Sequence, residues 1–263
     1  MTLQLQSVAP ARGLLWVRQG MRVFMRRPMA FTTLFTSFLL VGLLVTVLIP
    51  VLGGVIAVMA LPLLSLGFMM ATHAALQNAP VHPGLLIQPL RAASPQRGTL
   101  LRLCVLYGLA TVAVFLLCDW FDGGTFEQLQ VALSKGADAS DEVAELVADP
   151  RLLGSLWLRM GLTSLLSVPF WHAPALVHWS GQGVAQSLFS STLACWRAKG
   201  AFTLYALGWF GLFALFGTVV TLLGSPRVIA LALMPAALLF TTMFYVSLYF
   251  TFADSFKARE AVA

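Results

Sequence analysis

Four ionisable side chains stand close to the ends of apolar segments, where they could take part in chemistry. His73 lies near the end of the second apolar segment, His172 and His178 lie near the end of the fourth, and Asp254 ends the sixth. Ionisable groups are costly inside a bilayer and are therefore functional candidates by default. Because all three are even-numbered segments, we expect the four residues to share one membrane leaflet, where they form a candidate polar vestibule.

Several interpretations of this cluster stay open. It could relay protons or receive a substrate, bind a metal ion, or supply paired axial ligands to a b-type haem. The alternative, which we favour, is that the histidines lie at the interface and bond to headgroups or neighbouring carbonyls. His172 and His178 are six residues apart, which suits a shared metal poorly on a helix unless Pro174 distorts the turn. We predict no metal ligand and no cofactor.

No catalytic motif accompanies these residues. Ser190 and Ser191 lack a GxSxG context, and the sequence contains no HExxH, GxGxxG or Walker A motif. Cys104, Cys118 and Cys195 show no ligand spacing and are expected to be small apolar fillers. We therefore predict no catalytic residues and a protein that is not an enzyme.

The composition indicates the solvent in which the chain folds. Hydrophobic residues make up 59% of its 263 residues, charged residues only 10%, and the mean hydropathy is +0.87. A soluble domain carries about 25% charged residues. The net charge of +6 could indicate nucleic-acid binding, but the basic residues are scattered beside apolar segments, so we predict no nucleic-acid partner. The expected fold class is an all-α integral membrane protein, with residues 1–263 forming a single polytopic domain.

Six spans arranged as three hairpins fit this length, since each span needs about 20 residues. Prolines inside the second and fourth spans predict kinks at Pro62, Pro169 and Pro174. The predicted spans are residues 29–49, 53–77, 100–117, 159–179, 201–223 and 228–252.

A polar insert separates the third and fourth spans. Residues 119–150 contain eight of the ten acidic residues of the chain. Capping patterns predict two short helices that start near Thr125 and Ser140. We expect an extracytoplasmic insert with a solvated acidic face, because its carboxylates lack the spacing of a calcium loop.

The distribution of basic residues predicts the orientation. With both termini in the cytoplasm, twelve basic residues flank the inner ends of the spans and four lie outside. The inner set is Arg12, Arg18, Arg22, Arg26, Arg27, Arg91, Arg97, Arg102, Arg197, Lys199, Lys257 and Arg259; the outer set is Lys135, Arg151, Arg159 and Arg227. We predict a multi-pass protein of the cell inner membrane with both ends cytoplasmic.

The segment before the first span is basic and amphipathic. Three arginines recur every four residues on one helical face, while Trp16 and Phe24 join the apolar side. Such a helix is expected to lie in the headgroup region of the phospholipid bilayer. The residues assigned to anionic lipid headgroups are Arg18, Arg22, Arg26, Arg27, Arg197 and Lys199.

The same order of features recurs along the chain. Arg27, Arg97 and Lys199 each follow a segment of surface-helix character and open an odd-numbered span, and short Ala-Phe-Thr steps follow the first and the last. This pattern predicts a threefold repeat of hairpins, each preceded by an amphipathic interfacial helix.

This layout, the kinked segment 168–174 and the helical segment 188–197 resemble a family of bacterial inner-membrane proteins of unknown function. More distantly, the chain is similar to other six-helix families, including the membrane region fused to some glycerophosphodiester phosphodiesterases. The resemblance implies an envelope location and no catalytic residues. The hydrolase part of those enzymes has no counterpart in this sequence, so no hydrolase activity is implied.

Two functional hypotheses follow. The first is a non-enzymatic accessory, scaffolding or lipid-organising factor that contacts anionic headgroups and holds a membrane protein partner or a second copy of itself. The alternative is a small transporter or permease-like carrier, with His73, His172, His178 and Asp254 around a cytoplasmic-side vestibule. A cavity that reaches mid-membrane and is lined by His172 would favour the carrier.

Overall fold

The computed structural model describes residues 3–50, 52–91, 94–135, 140–224 and 226–258. Its elements are β1 (Leu3–Leu5), α1 (Arg12–Arg26), α2 (Pro28–Leu48), α3 (Leu52–Met59), α4 (Leu61–Leu76), two 3₁₀ turns (Pro83–Leu86 and Gln88–Leu90), α5 (Arg97–Asp122), α6 (Thr125–Ser134), α7 (Ser140–Ala148), α8 (Pro150–Phe170), α9 (Ala173–Ser180), α10 (Val184–Arg197), α11 (Lys199–Leu223), α12 (Pro226–Ser255) and β2 (Phe256–Ala258). Of the basic residues counted for orientation, Arg259 and the side chain of Arg227 lie outside the described part.

Six helical segments are long and apolar enough to cross a bilayer, so the predicted class of all-α integral membrane protein is confirmed. These spans are Pro28–Leu48, Leu52–Leu76, Arg97–Asp122, Pro150–Ser180, Lys199–Leu222 and Leu231–Ser255. The predicted start of the fourth span was wrong, because α8 begins at Pro150 and Arg159 lies well inside it. The predicted insert was also too long, since Asp119 and Asp122 belong to the last turn of α5.

Two of the even-numbered spans are broken where the sequence places proline. The second span changes from α3 to α4 at Ala60, just before Pro62 in the first turn of α4. The fourth span changes from α8 to α9 at Trp171 and His172, between Pro169 and Pro174. Proline removes a backbone donor, so a helix is interrupted most easily at these positions.

The two chain ends are joined in one small sheet. β1 pairs antiparallel with β2, with Gln4 opposite Lys257, and the Gln6 amide donates to the Ser255 carbonyl at 2.9 Å. Both ends therefore lie at one end of the helical bundle, as an even number of spans requires. We call this the terminal end, and we call the opposite end, which carries α6 and α7, the insert end. Residues 136–139 of the insert lie outside the described part.

Each odd-numbered span follows a short interfacial element that packs on an even-numbered span. α1 packs against α12, the first 3₁₀ turn packs against α4, and α10 packs against α8 and α9. Close approach occurs at small residues, since a Cβ on Gly20 would lie 2.5 Å from that of Ser247 and one on Gly67 would lie 2.6 Å from Leu86 Cδ2. The predicted plan of three hairpins with interfacial helices agrees with this arrangement.

Two details of that plan were wrong. The interfacial helix expected before Arg97 is a pair of 3₁₀ turns, which fits a segment with prolines at positions 83, 89 and 95. The apolar side of α1 faces protein rather than the bilayer: Trp16 and Phe24 are buried against α11, α12 and neighbouring core residues. Arg18, Arg22 and Arg26 remain on its exposed face.

Candidate functional site

His172 lies in a sealed aromatic environment. Its side chain has no exposed surface, and the rings of Phe202, Phe252 and Phe256 surround it at centroid distances of 5.5 to 6.0 Å. Its Nε2 atom lies 3.2 Å from the Thr251 hydroxyl, and its backbone amide donates to Ser191 Oγ at 3.0 Å. His172 therefore helps to join α9 to α10 through its backbone and to α12 through its ring, at the break of the fourth span.

His73 and His178 lie on either side of Trp179. Their rings are 6.2 and 5.7 Å from that indole, and His73 Nδ1 is 2.8 Å from the Tyr249 hydroxyl. Trp179 in turn stacks on Phe252 at 5.0 Å, and Phe252 covers His172. The three histidines thus share one end of the bundle, but aromatic rings separate them. Within the described ranges, no group of three metal-ligating side chains comes together.

Asp254 has a different partner from the one that the sequence suggested. Its two carboxylate oxygens accept from the Arg12 guanidinium, each at 2.7 Å, and one of them also accepts from Trp16 Nε1 at 2.6 Å. This contact ties the start of α1 to the end of α12. Sequence reasoning missed it because Arg12 and Asp254 are 242 residues apart and no local pattern links them.

A cavity of about 140 Å³ lies at the depth of the two helix breaks. Its wall is mainly apolar, with hydroxyl groups from α4, α5, α8 and α12, and it does not include any of the four vestibule residues. The polar or aromatic residues that line it are Ser65, Tyr107, Ser167, Phe170, Trp171, Phe244 and Tyr245. The predicted vestibule remains a prediction, and the contacts of its residues favour a role in packing.

A buried charge network joins α5 to α8 near the insert end. Arg159 donates to Asp119 and, at 3.1 Å, to Asp122, whose side chain has no exposed surface. Ser155 Oγ donates to the same Asp122 oxygen at 2.5 Å, and the guanidinium lies 4.2 Å from the centroid of the Phe126 ring. The sequence interpretation was wrong here: it placed Arg159 at the outer end of the fourth span and assigned both aspartates to a solvated insert.

The basic face of the terminal end is built by α1. Arg18, Arg22 and Arg26 are exposed, because the opposite face of the helix is held against the bundle. Within the described part of the chain, these three side chains make no ion pair. Arg27 differs from them, because its guanidinium donates to the Ala79 carbonyl at 2.5 Å and supports the chain after α4.

A second basic step precedes α11. Arg197 and Lys199 are exposed where α10 turns into α11, and the Lys199 ammonium lies 5.5 Å from the centroid of the Trp196 ring. Trp196 is itself exposed at this position. An aromatic ring beside a cation at a span start is typical of the membrane–water interface.

The cysteines are all free thiols in buried positions. In α10, burial raises the pKa of the Cys195 thiol to about 12, so the thiol stays protonated at neutral pH. Such a group behaves as a small apolar side chain, in keeping with the filler role expected from the sequence.

The chain is similar over nearly its whole length to a probable inner membrane protein of Burkholderia thailandensis. The two are 34% identical over 266 aligned residues, which cover 98% of this chain and 96% of the relative. No protein-family model and no solved structure matches the sequence. The distant likeness to the membrane regions of glycerophosphodiester phosphodiesterases stays a prediction.

Proposed function

The chain belongs to the family of the Burkholderia inner membrane protein and is a multi-pass inner membrane protein, and from this we propose that it is a non-enzymatic factor that organises anionic lipids. Its terminal end lies in the cytoplasm and its acidic insert lies on the extracytoplasmic side. The observation that carries the proposal is the exposed row of Arg18, Arg22 and Arg26 on α1, which makes no ion pair with the described residues and which the buried opposite face of the helix holds in place.

The physical argument rests on electrostatics at the membrane surface. Each Lys or Arg close to an anionic leaflet contributes about 1 kcal/mol of attraction. Arg18, Arg22 and Arg26 recur at four-residue spacing, so they form one row along the exposed side of α1. Because packing against α11 and α12 already orders the helix, little entropy is lost when headgroups bind. Arg197 and Lys199 extend the basic face beside α11.

The experiment measures which lipids accompany the protein. Native membrane patches are cut out with a styrene–maleic acid copolymer, and their phospholipids are compared with those of the whole membrane. The wild-type protein should be enriched in phosphatidylglycerol and cardiolipin. The variant Arg18→Gln/Arg22→Gln/Arg26→Gln should lose most of that enrichment, since three charges together contribute about 3 kcal/mol.

The control removes charge at the other end of the bundle. Lys135→Gln/Arg151→Gln changes two exposed basic residues near the insert and should leave the enrichment unchanged. If the arginine variant keeps the wild-type lipid composition, or if the control variant loses it equally, the proposal is wrong. A reporter fused within 126–134 tests the orientation, because it should be active only outside the cytoplasm.

Partners would bind the apolar flanks rather than the basic face. Leu215, Leu222 and Met234 are more than 60% exposed in the insert half of the last hairpin. This surface suits either a helix of another membrane protein or a second copy of the chain. Cross-linking at Leu215→Cys in native membranes distinguishes the two, because only self-association gives a product of twice the mass.

A small carrier is the second candidate, and the cavity at the helix breaks favours it. Broken helices at membrane depth frame the binding sites of many transporters. The cavity holds only about 140 Å³, however, and His172 does not line it. If the protein is a carrier, substitution of Ser65 and Ser167 by Ala should impair uptake of its solute. If the protein is not a carrier, the same substitutions should leave its lipid enrichment unchanged.

A further inference from the structure

An apolar groove of about 420 Å³ opens on the flank of the bundle between α2, α4 and the two 3₁₀ turns. Ser37, Phe38 and Val41 of α2 form one wall. Ala60 at the helix break and Leu63 of α4 form another. The 3₁₀ turns close the third side, where Leu86 packs tightly over Gly67. The groove exists because the 3₁₀ turns lie beside α4 and keep α2 from packing fully against α4.

The α2 wall of the groove lies near the middle of the bilayer. Helical rise places Ser37 about 14 Å and Val41 about 20 Å from Pro28 along α2. The hydrocarbon region of a bilayer is about 30 Å thick, so this wall lies around the mid-plane, which the end of an acyl chain from the terminal-side leaflet reaches. Val41 and Ile87 are about 60% exposed at its rim, which leaves it open towards lipid.

A cation stands at one edge of this apolar surface. Leu90 lines the groove and Arg91 follows it directly, so their Cα atoms are about 3.8 Å apart. Arg91 is exposed and has no ion-pair partner in the described part of the chain. An arginine can extend its stem along apolar surface while its guanidinium reaches the headgroup level. Guanidinium groups bind phosphate through paired hydrogen bonds.

We propose that this groove is a binding site for one phospholipid molecule, with an acyl chain between Phe38 and Leu63 and its phosphate beside Arg91. The site differs from the arginine row of α1, which contacts headgroups without an acyl-chain pocket. The groove adds to the proposed lipid-organising function a fixed lipid that braces α2 against α4 where protein packing is incomplete. Its existence does not depend on the arginine row.

The test counts lipids retained by the protein in nanodiscs that contain equal phosphatidylglycerol and phosphatidylcholine. Native mass spectrometry under activation that strips bulk lipid should leave one phospholipid on each wild-type chain. Ala60→Trp fills the groove and should abolish that retained molecule. The matched control is Val112→Trp, which fills a second apolar groove of about 330 Å³ between α3 and α5 and should leave the retained lipid in place.

A second variant keeps the groove open and tests the phosphate contact. Arg91→Gln should still retain one phospholipid, but its preference for phosphatidylglycerol over phosphatidylcholine should fall about fivefold, as expected for one lost cation. The variant Arg18→Gln/Arg22→Gln/Arg26→Gln should keep the retained lipid with unchanged selectivity. If this triple variant loses the enrichment of anionic lipids in native membrane patches but keeps the retained phospholipid, the two proposals are distinguished.

Three results would overturn the groove proposal. Retention of the phospholipid by Ala60→Trp with a wild-type unfolding midpoint would place the lipid elsewhere. Equal loss in Val112→Trp would show that retention is not specific to this groove. A wild-type dimer that carries no lipid and dissociates in Ala60→Trp would show that a second copy of the chain fills the groove.

Discussion

The two halves of the bundle are built on different principles. Within the described residues, the clusters of buried hydrophobic side chains lie in the terminal half, where interfacial elements, broken spans and the ends of the helices meet. In the insert half the helices expose many apolar side chains, among them Leu44 and Leu48 of α2 and Leu215 and Leu222 of α11. Lipid tails are as apolar as leucine side chains, so no hydrophobic driving force makes the helices of the insert half pack together.

The contrast extends to how each half uses charge. The terminal half holds Arg12 and Asp254 in a partly exposed pair that supplements extensive aromatic packing. The insert half has little such packing, and there Arg159, Asp119 and Asp122 are the main polar link between α5 and α8. We therefore expect loss of the charge network to be more damaging than loss of the terminal pair.

The largest effect is expected from Arg159→Met. The substitution leaves Asp122 fully buried without its cation, and breaking a buried ion pair costs about 3 kcal/mol or more. The free energy of unfolding, measured by denaturant titration in mixed micelles, should fall by this amount. Asp122→Leu on the same background should restore part of it. An unchanged denaturation midpoint for Arg159→Met would show that the charge network does not contribute to the free energy of unfolding.

Arg151→Met is the matched control for that experiment. Arg151 lies on the same helix, is exposed and makes no ion pair in the described part of the chain. Its substitution should shift the free energy of unfolding by no more than about 0.5 kcal/mol.

The next effect should come from Gly20→Leu in the terminal half. A Cβ at this position would lie 2.5 Å from Ser247 Cβ and 2.9 Å from Ser247 Cα, so α1 must move away from α12. Overpacking of this kind costs about 1–3 kcal/mol. Limited proteolysis should then cleave the chain ahead of α2 much faster than in the wild-type protein. Cleavage at the wild-type rate would contradict close packing of α1.

A smaller loss is expected for Asp254→Asn. The change removes the charge from a pair whose side chains are 38% and 23% exposed, and partly exposed pairs contribute only about 1 kcal/mol. The destabilisation should shrink as salt is added, because mobile ions already screen the pair. If the loss of stability is equally large at high salt, the hydrogen bond from Trp16, and not the charge of Asp254, stabilises this contact.

The smallest effect is expected for Gly217→Ala in the insert half. In the same helix a Cβ on Gly208 would lie 3.2 Å from Val17 Cγ2, so that glycine permits close approach of α1 and α11. Around Gly217 no atom lies within 4 Å of such a Cβ, so Ala meets no neighbour there. Helix propensity then predicts a slight stabilisation of up to about 1 kcal/mol. A marked loss would show that a partner packs at this site.

Much of the architecture could be predicted because hydropathy is a property of consecutive residues. A run of about 20 apolar side chains needs a bilayer whatever it packs against, so six spans followed from local counting. Prolines marked the breaks at Pro62 and Pro169 for the same local reason. The start of the fourth span was missed because Arg159 looked like an interfacial residue.

By itself, then, the sequence determined that a lipid bilayer is the solvent for most of the chain, how many times the chain crosses it and where the helices break. Only the tertiary structure decided which ionisable groups lie in contact. Asp254 pairs with Arg12 rather than with the histidines, His172 lies among aromatic rings, and Arg159 pairs with Asp122. Those choices depend on how helices far apart in the chain rotate and pack against one another. The groove beside Arg91 arises in the same way, because it is the space that three elements leave between them.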